Sequence, residues 1–129
     1  MSVYRDRVML NPFQRFGRKA ENIAAEHLAE HGYRIVRRNY RTRTGEIDLI
    51  AKDGPYTVFV EVKARRSETY GHPKEAVSFA KRKKIIKTAQ IYLKEMGDAA
   101  TRTRFDIVSI NYHHGTMSIE VIRNAFDAA

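Results

Sequence analysis

The chain has 129 residues, enough for one domain with a single hydrophobic core. It contains no cysteine, which excludes disulfides, thiolate nucleophiles and cysteine zinc sites, and no apolar run approaches the roughly 20 residues of a membrane span. The formal net charge of +9 predicts a polyanionic partner such as nucleic acid, although generic solubility would also explain it. Because the N-terminus lacks the apolar segment of a signal peptide, we expect a cytoplasmic protein without membrane association.

The first part of the chain predicts an arm and an amphipathic helix. Residues 1–16 show no clear period and are interpreted as an arm or tail, and residues 17–126 form the single predicted domain. The helix is predicted from Gly17 to His31. Glu21 falls inside its apolar arc, next to Leu28, where a carboxylate needs a partner. Solvent or an arginine would satisfy Glu21 at the flank of the arc; alternatively, it faces a bound metal ion.

An arginine-rich strand is predicted from Tyr33 to about Arg41. The arginines of this strand and of the residues just after it are Arg34, Arg37, Arg38, Arg41 and Arg43. Interleaved with tyrosines, they form either a phosphate-binding surface or the charged, solvated edge of a sheet.

Two further strands carry charged residues at alternate positions. They run from Gly45 to Ala51 and from Val58 to Ala64. One face of the pair carries Glu46, Asp48, Ile50, Phe59, Glu61 and Lys63, and the other carries the predicted core residues Ile47, Leu49, Ala51, Val58, Val60, Val62 and Ala64. A solvated sheet face would explain the charges, but acidic residues are poor strand formers, and Ile50 and Phe59 indicate partial cover.

The loop between these strands predicts their register. With a four-residue loop, the opposed pairs are Lys52–Thr57, Asp48–Glu61 and Glu46–Lys63. A shift of two residues would keep the faces and change the opposed pairs. Two opposed carboxylates repel each other unless a cation lies between them, and a divalent metal ion suits carboxylate oxygens.

A loop from Arg65 to Pro73 should border this site, and a basic helix is predicted after it. Ser78 is its predicted N-cap, and the helix runs to about Met96. Its first turns carry Lys81, Arg82, Lys83, Lys84 and Lys87. Lysines near a helix N-terminus oppose the macrodipole, which favours phosphate binding over a merely soluble face.

The last elements are two strands, residues 104–112 and 117–122. Asp106 lies inside the first of them, flanked by Arg104, and we predict a structural salt bridge there. The complete order, α-β-β-β-α-β-β, predicts an α/β fold with a central mixed sheet flanked by helices.

These motifs resemble a known family. An Asp in the second strand followed by Glu-x-Lys in the third looks like the PD-(D/E)XK nuclease superfamily, also called the restriction-endonuclease-like fold. More closely, the segments GRKAE (17–21), RNYR (38–41), GEIDLI (45–50), FVEVK (59–63) and RFD (104–106) resemble the bacterial UPF0102 (YraN-like) family, which is distantly similar to archaeal Holliday-junction resolvases. The resemblance spans about residues 13–126.

The resemblance implies roles for individual residues. Asp48 and Glu61 would bind Mg²⁺ or Mn²⁺, with Glu21 as a further acid at the metal, and Lys63 would orient or deprotonate the attacking water. Ile47 stands where the superfamily has proline, and the role of Glu46 is open. The residues expected to hold the DNA backbone are Arg38, Arg41, Arg43, Arg65, Lys81, Arg82, Lys83 and Lys84.

Three functions compete at this level. The first is a metal-dependent DNA endonuclease, acting on branched or junction DNA and, by analogy with resolvases, as a homodimer. The second is a catalytically silent nucleic-acid-binding protein on the same fold. The third is an adaptor whose basic surface binds an acidic protein.

Overall fold

The computed structural model describes residues 12–65, 77–98, 101–113 and 115–128. Within these ranges the elements are α1 (Pro12–Glu30), β1 (Arg34–Thr42), β2 (Gly45–Asp53), β3 (Tyr56–Arg65), α2 (Phe79–Glu95), β4 (Arg102–His113) and β5 (Thr116–Ile122). The order α-β-β-β-α-β-β is the predicted one, and it is consistent with a restriction-endonuclease-like fold. Residues 1–11 of the predicted arm, and all of the loop after Arg65 up to Pro73, lie outside the described residues.

The described strands form one mixed sheet in the order β1-β2-β3-β4-β5. All neighbours are antiparallel except β3 and β4, which are parallel. A parallel pair needs a long crossover connection, and α2 lies in that connection between β3 and β4. The hairpin has the predicted register where it begins, because Lys52 pairs with Thr57. The short hairpin loop thus aligns the two strands that carry the candidate site.

The helix boundaries follow their local chemistry. α1 begins at Pro12, earlier than the predicted Gly17, and proline is favoured in a first helical turn because its missing N–H would be unpaired there anyway. The helix ends before Gly32, whose φ of +91° suits glycine. Ser78 caps α2 as predicted, and its Oγ accepts from the Lys81 backbone N–H at 3.1 Å. No helix in the described ranges is long and apolar enough to cross a bilayer.

The sheet has a hydrophobic core on each face. The α1-side core consists of Ala20, Ile23, Ala24, Ala25, Leu28, Tyr33, Leu49, Ala51, Val58, Val60, Val108, Ile110 and Met117. The α2-side core consists of Tyr40, Ile47, Ile50, Phe59, Val77, Ile85, Ala89, Tyr92, Phe105, Ile107, Ala125 and Phe126. Ile50 and Phe59 are 0% and 1% exposed. The face with the alternating charges is therefore covered around these two residues, which argues against a fully solvated face.

One predicted core position is wrong. Ile47 was expected to share a core face with Leu49, but it packs in the α2-side core, whereas Leu49 packs in the α1-side core. The paired register of β2 with β3 ends at Leu49–Val60. Beyond that point β2 pairs, among the described strands, only with β1, where Ile47 lies opposite Tyr40, and both residues pack in the α2-side core.

The predicted salt bridge of Asp106 is confirmed. Its side chain is 0% exposed, and Arg104 Nε donates to Asp106 Oδ1 at 2.9 Å. Tyr33 Oη donates to the other oxygen at 2.9 Å, and the Asn124 backbone N–H donates to Oδ1 at 3.0 Å. Arg104 also reaches Asp53 Oδ2 at 2.8 Å. This network joins the start of β1, the hairpin turn, β4 and the C-terminal segment.

Candidate active site

A pair of carboxylates lies where β2 and β3 part. Glu61 of β3 has only 6% of its side chain exposed. Asp48 of β2 accepts a hydrogen bond from the Val62 backbone N–H through Oδ2 at 2.8 Å. Regular pairing ends one step earlier, at Leu49–Val60, so the predicted opposition of Asp48 and Glu61 is not a ladder pair. Instead, the Asp48 side chain reaches across to the β3 backbone, and the two acids still interact through their charges.

The surroundings of Asp48 disfavour its negative charge. Burial, and then the charge of Glu61, raise the pKa of Asp48 to about 7, although the Val62 hydrogen bond opposes the rise. Glu21 of α1 raises it further, so the helix acid lies within electrostatic reach of the strand acids. An acid pair of this kind favours a bound cation.

Two lysines provide the nearby positive charge. Lys81 Nζ of α2 donates to Glu61 Oε1 at 2.5 Å, and Lys63 Nζ lies 3.6 Å from the same oxygen. Burial, together with the hydrogen bond and charge of Lys81, lowers the pKa of Lys63. Burial alone would lower the pKa of Lys81 as well, but the hydrogen bond and charge of Glu61 raise it overall. Lys81 is thus the better counter-ion, and Lys63 is the lysine closer to losing its proton.

A second pair of acids lies on the β1 side of the site. With its NH₂ group facing them, the Asn39 carboxamide donates to Glu21 Oε1 and to Glu46 Oε1, both at 3.1 Å. Glu46 also lies 3.3 Å from Arg41 Nε, and the two residues are paired in the sheet. Sequence reasoning placed Lys63 of β3 opposite Glu46. The contacts found for Glu46 are instead with residues of β1. Burial raises the pKa of Glu21, and the Asn39 hydrogen bond partly offsets this.

Sequence reasoning missed the role of Asn39 and the position of Lys81. Asn39 has a φ of +50° within a strand, a conformation that asparagine tolerates better than most residues. An asparagine among the strand's arginines was the available signal, because asparagine is depleted in strands. Lys81 was predicted to hold DNA, yet its ammonium group lies on Glu61. The lysine excess near the start of α2 was noticed, but sequence alone does not show which lysine reaches the acids.

The donors suit a hard divalent ion. Mg²⁺ is usually held by one or two carboxylates and keeps several waters, and the site offers the partly buried Asp48 and the buried Glu61, which interact through their charges. Glu21 lies on the α1 side of them. Within the ranges the structure describes, no three acidic or histidine side chains form a ready-made ligand group. The Lys81 ammonium contacts Glu61 where a metal ion would bind, so it would have to move.

Part of the predicted DNA-binding set lies beside the acids. We use the name basic rim for Arg38, Arg41, Arg43 and Lys84, which are all exposed. The turn from β1 to β2 packs on α2, because Thr44 Oγ1 and Thr88 Oγ1 are 2.8 Å apart. A Cβ atom on Gly45 would lie 3.4 Å from Lys84 Cβ, so this turn and the helix are in close contact. The rim therefore combines charges from β1, the following turn and α2.

Other members of that set lie elsewhere. Arg82 and Lys83 line a groove of about 400 Å³ between α2 and the C-terminal segment. Lys83 Nζ lies 4.7 Å from the centre of the Phe79 ring, and Arg82 Nε donates to the Val77 carbonyl at 3.0 Å. Arg65 is the last residue of β3. Arg82 and Lys83 are thus not brought to the carboxylates, although Lys81 next to them is.

The raised pKa of Asp48 predicts a pH-dependent stability. Because this pKa is about 7 in the folded state and the ordinary pKa of an aspartate is 3.8, the stabilising contribution of Asp48 is full below pH 3.8 and is lost as the pH rises to about 7. Asp48→Asn keeps an oxygen that can accept from the Val62 N–H. We expect this variant to exceed the wild type in free energy of unfolding by about 1–3 kcal/mol at pH 8, and to match it near pH 4, in metal-free urea denaturation.

The control for this prediction is Asp127→Asn, which removes an exposed acid from the C-terminal segment. It should leave the pH profile of the wild type unchanged. An Asp48→Asn variant whose free energy of unfolding follows the same pH profile as the wild type would contradict the predicted role of Asp48.

Comparisons with known proteins agree with the resemblance drawn from the motifs. Residues 20–110 match the model of a family described as "Uncharacterised protein family UPF0102". A UPF0102 protein of Desulfosudis oleivorans is 51% identical over 120 residues, covering 93% of this chain and 96% of the relative. One from Desulforapulum autotrophicum is 50% identical over 118 residues, covering 92% and 98%. One from Symbiobacterium thermophilum is 47% identical over 116 residues, covering 89% and 98%. The chain therefore belongs to the UPF0102 family.

Proposed function

We propose that this protein is a metal-dependent DNA endonuclease that hydrolyses phosphodiester bonds. The observation that carries the proposal is the pair formed by the partly buried Asp48 and the buried Glu61, with Lys63 beside it. Lys63 Nζ lies 3.6 Å from Glu61 Oε1, and its pKa is lowered by burial and by Lys81. Perturbed acids and a perturbed lysine at one place are typical of catalytic sites.

The chemistry needs an activated water and a stabilised phosphate. A bound Mg²⁺ or Mn²⁺ would supply both by lowering the pKa of its water and by neutralising phosphate charge. Asp48 and Glu61 would hold that ion, and Glu21 would be the further acid from α1. Lys63, whose pKa is lowered by burial and by Lys81, would orient the attacking water or, once it has lost its own proton, accept the proton of that water.

The substrate class follows from the charge of the surroundings. The formal net charge of +9 and the basic rim favour a polyanion, and arginine and lysine contacts to phosphates bind without reading sequence. Resemblance to junction resolvases favours branched or four-way DNA in the cytoplasm. An enzyme that nicks both sides of a two-fold junction acts as a homodimer.

The deciding experiment is a cleavage assay over a panel of DNA structures. Purified protein is incubated with linear, flapped and four-way DNA in Mg²⁺, in Mn²⁺ and in EDTA. We expect nicks that require the metal, with branched substrates preferred. An inert protein on every substrate with both metals would instead favour a silent nucleic-acid-binding protein. The Lys81–Glu61 ion pair supports that second candidate, because it neutralises an acid without any metal.

Binding to DNA through the basic rim should depend steeply on salt. The double variant Arg43→Gln/Lys84→Gln removes two exposed charges that flank the contact between the β1–β2 turn and α2. We expect weaker binding to all DNA sequences, and the slope of log affinity against log salt should fall by about 2, or about 1 per phosphate contact. Fluorescence anisotropy with a labelled duplex in Ca²⁺ measures both.

Arg102→Gln is the matched single-charge control, since Arg102 is exposed and starts β4 beside Tyr56 at the hairpin turn. This variant should leave the salt slope of the wild type in place. If the double variant bound DNA with the wild-type slope, the basic rim would not be the phosphate surface.

A further inference from the structure

The ion pair between Lys81 and Glu61 is asymmetric. The Glu61 side chain is 6% exposed, whereas that of Lys81 is 42% exposed. Lys81 can therefore withdraw into solvent by rotating its flexible stem, but Glu61 cannot follow it without moving β3. Of the two residues in this ion pair, Lys81 is the one that can move away.

Local helix chemistry does not explain why a lysine is at this position. Lys81 is the third residue of α2, and its backbone N–H is bonded to the Ser78 cap. The partial positive charge of a helix N-terminus disfavours a cation in the first turn. The favourable contact that compensates for this is the hydrogen bond from Lys81 Nζ to Glu61 Oε1 at 2.5 Å.

We propose that Lys81 is a built-in counter-cation of the candidate metal site, which a divalent ion displaces when it binds to Asp48 and Glu61. This inference rests on the metal site of the proposed function. The displaced ammonium group then lies near the basic rim, because Lys84 follows one turn later on α2. Metal binding thereby frees a positive charge for a substrate phosphate.

In this proposal the site has two states, one without a metal ion and one with it. Without metal, Lys81 and Lys63 both lie close to Glu61 Oε1, so the buried acid is not left unpaired. With metal, Lys63 is still present two residues along the strand, and Lys81 is released. A purely structural salt bridge would differ in its consequence, because its removal would not help a metal ion to bind.

The test is calorimetric titration of Mn²⁺ into the nucleic-acid-free protein. Wild type is compared with Lys81→Met and with Lys84→Met, which removes the same charge from the same helix one turn away. In the wild type, the Lys81 ammonium group and Mn²⁺ compete for Glu61. We therefore expect Lys81→Met to bind Mn²⁺ about fivefold or more tightly than wild type. Lys84→Met should stay within about twofold of it, since its charge is exposed and screened.

Thermal unfolding provides an independent measurement. Without metal, Lys81→Met should melt below the wild type, because Glu61 loses the nearer of the two lysines that contact it in the described part of the chain. Added Mn²⁺ should then raise its melting temperature more than that of the wild type, since tighter binding to the folded state gives a larger shift. If Lys81→Met does not fold, Lys81→Gln, which keeps a hydrogen-bond donor for Glu61, takes its place in both measurements.

Equal Mn²⁺ affinity for the Lys81 and Lys84 variants would overturn the inference, and so would weaker binding by the Lys81 variant. The possible outcomes test the Lys81 inference and the nuclease function separately. A protein that is inert on DNA but shows the tightened binding keeps the lysine inference and loses the nuclease. An active nuclease without the tightening loses only the lysine inference, and a protein that binds no Mn²⁺ in any form loses both.

Discussion

Lys63→Ala should lower the rate of metal-dependent DNA cleavage by about 10²- to 10⁴-fold, the usual contribution of a positioned acid–base group. Its ammonium group lies 3.6 Å from Glu61 Oε1, and burial with the neighbouring Lys81 lowers its pKa. Within the described residues, the other lysine that contacts Glu61 is Lys81, which lies on α2 and not on β3. It therefore cannot take the place of Lys63 from the same side of the site. Single-turnover cleavage of four-way DNA, with circular dichroism to verify the fold, measures the loss.

Lys87→Ala is the matched control, because it removes an exposed lysine from α2. Its rate should remain within a few-fold of the wild type. Glu61→Ala should be as inactive as Lys63→Ala and should also lose metal binding, whereas Lys63→Ala should keep it. Cleavage by a folded Lys63→Ala variant at the wild-type rate would remove Lys63 from the mechanism.

The largest loss of stability is expected at Asp106. Asp106→Ala should lower the free energy of unfolding by about 3–5 kcal/mol, because one partner of a buried ion pair is removed. Its carboxylate is 0% exposed and accepts from Arg104, Tyr33 and the Asn124 backbone. Arg104 is itself only 12% exposed and would keep only its contact with Asp53 among the acids it reaches here. Urea denaturation at pH 7 measures the effect.

A surface pair on the same protein provides the comparison. Asp98→Ala breaks a contact of 3.3 Å with Lys52, in which the two side chains are 43% and 29% exposed. Exposed pairs contribute about 0–1 kcal/mol, so this variant should stay close to the wild type. An Asp106→Ala variant no less stable than Asp98→Ala would show that the buried network does not hold the strands and the C-terminal segment together.

Much of the fold was predictable because local chemistry specifies it. Alternating side chains identified β2 and β3, and the short loop between them set Lys52 opposite Thr57. Ser78 and Gly32 marked helix ends because a cap and a positive φ need those residue types. The period of two failed at Ile47, because the pattern assumes an even ladder and β2 pairs with β3 only from Leu49 onward.

The residues of the candidate site likewise fall into those that the sequence predicts and those that it does not. Asp48, Glu61 and Lys63 could be named from their spacing, because alternate positions of a strand share a face. Glu21 could be named because a helical arc shows which acid faces inward. The bridge formed by Asn39 could not be named, because it depends on an unusual φ and on two acids that are distant in the chain.

The sequence by itself determined the element order, the family and the acids and lysine of the candidate site, because periodicity, caps and turn length act over a few residues. Only the tertiary structure decided which charges meet. Lys81 and Glu61 are 20 positions apart, and the approach of α2 to the sheet brings Lys81 Nζ within 2.5 Å of Glu61. The same packing leaves Arg82 and Lys83 in a separate groove. Charge partners depend on the docking of whole elements, which no local pattern records.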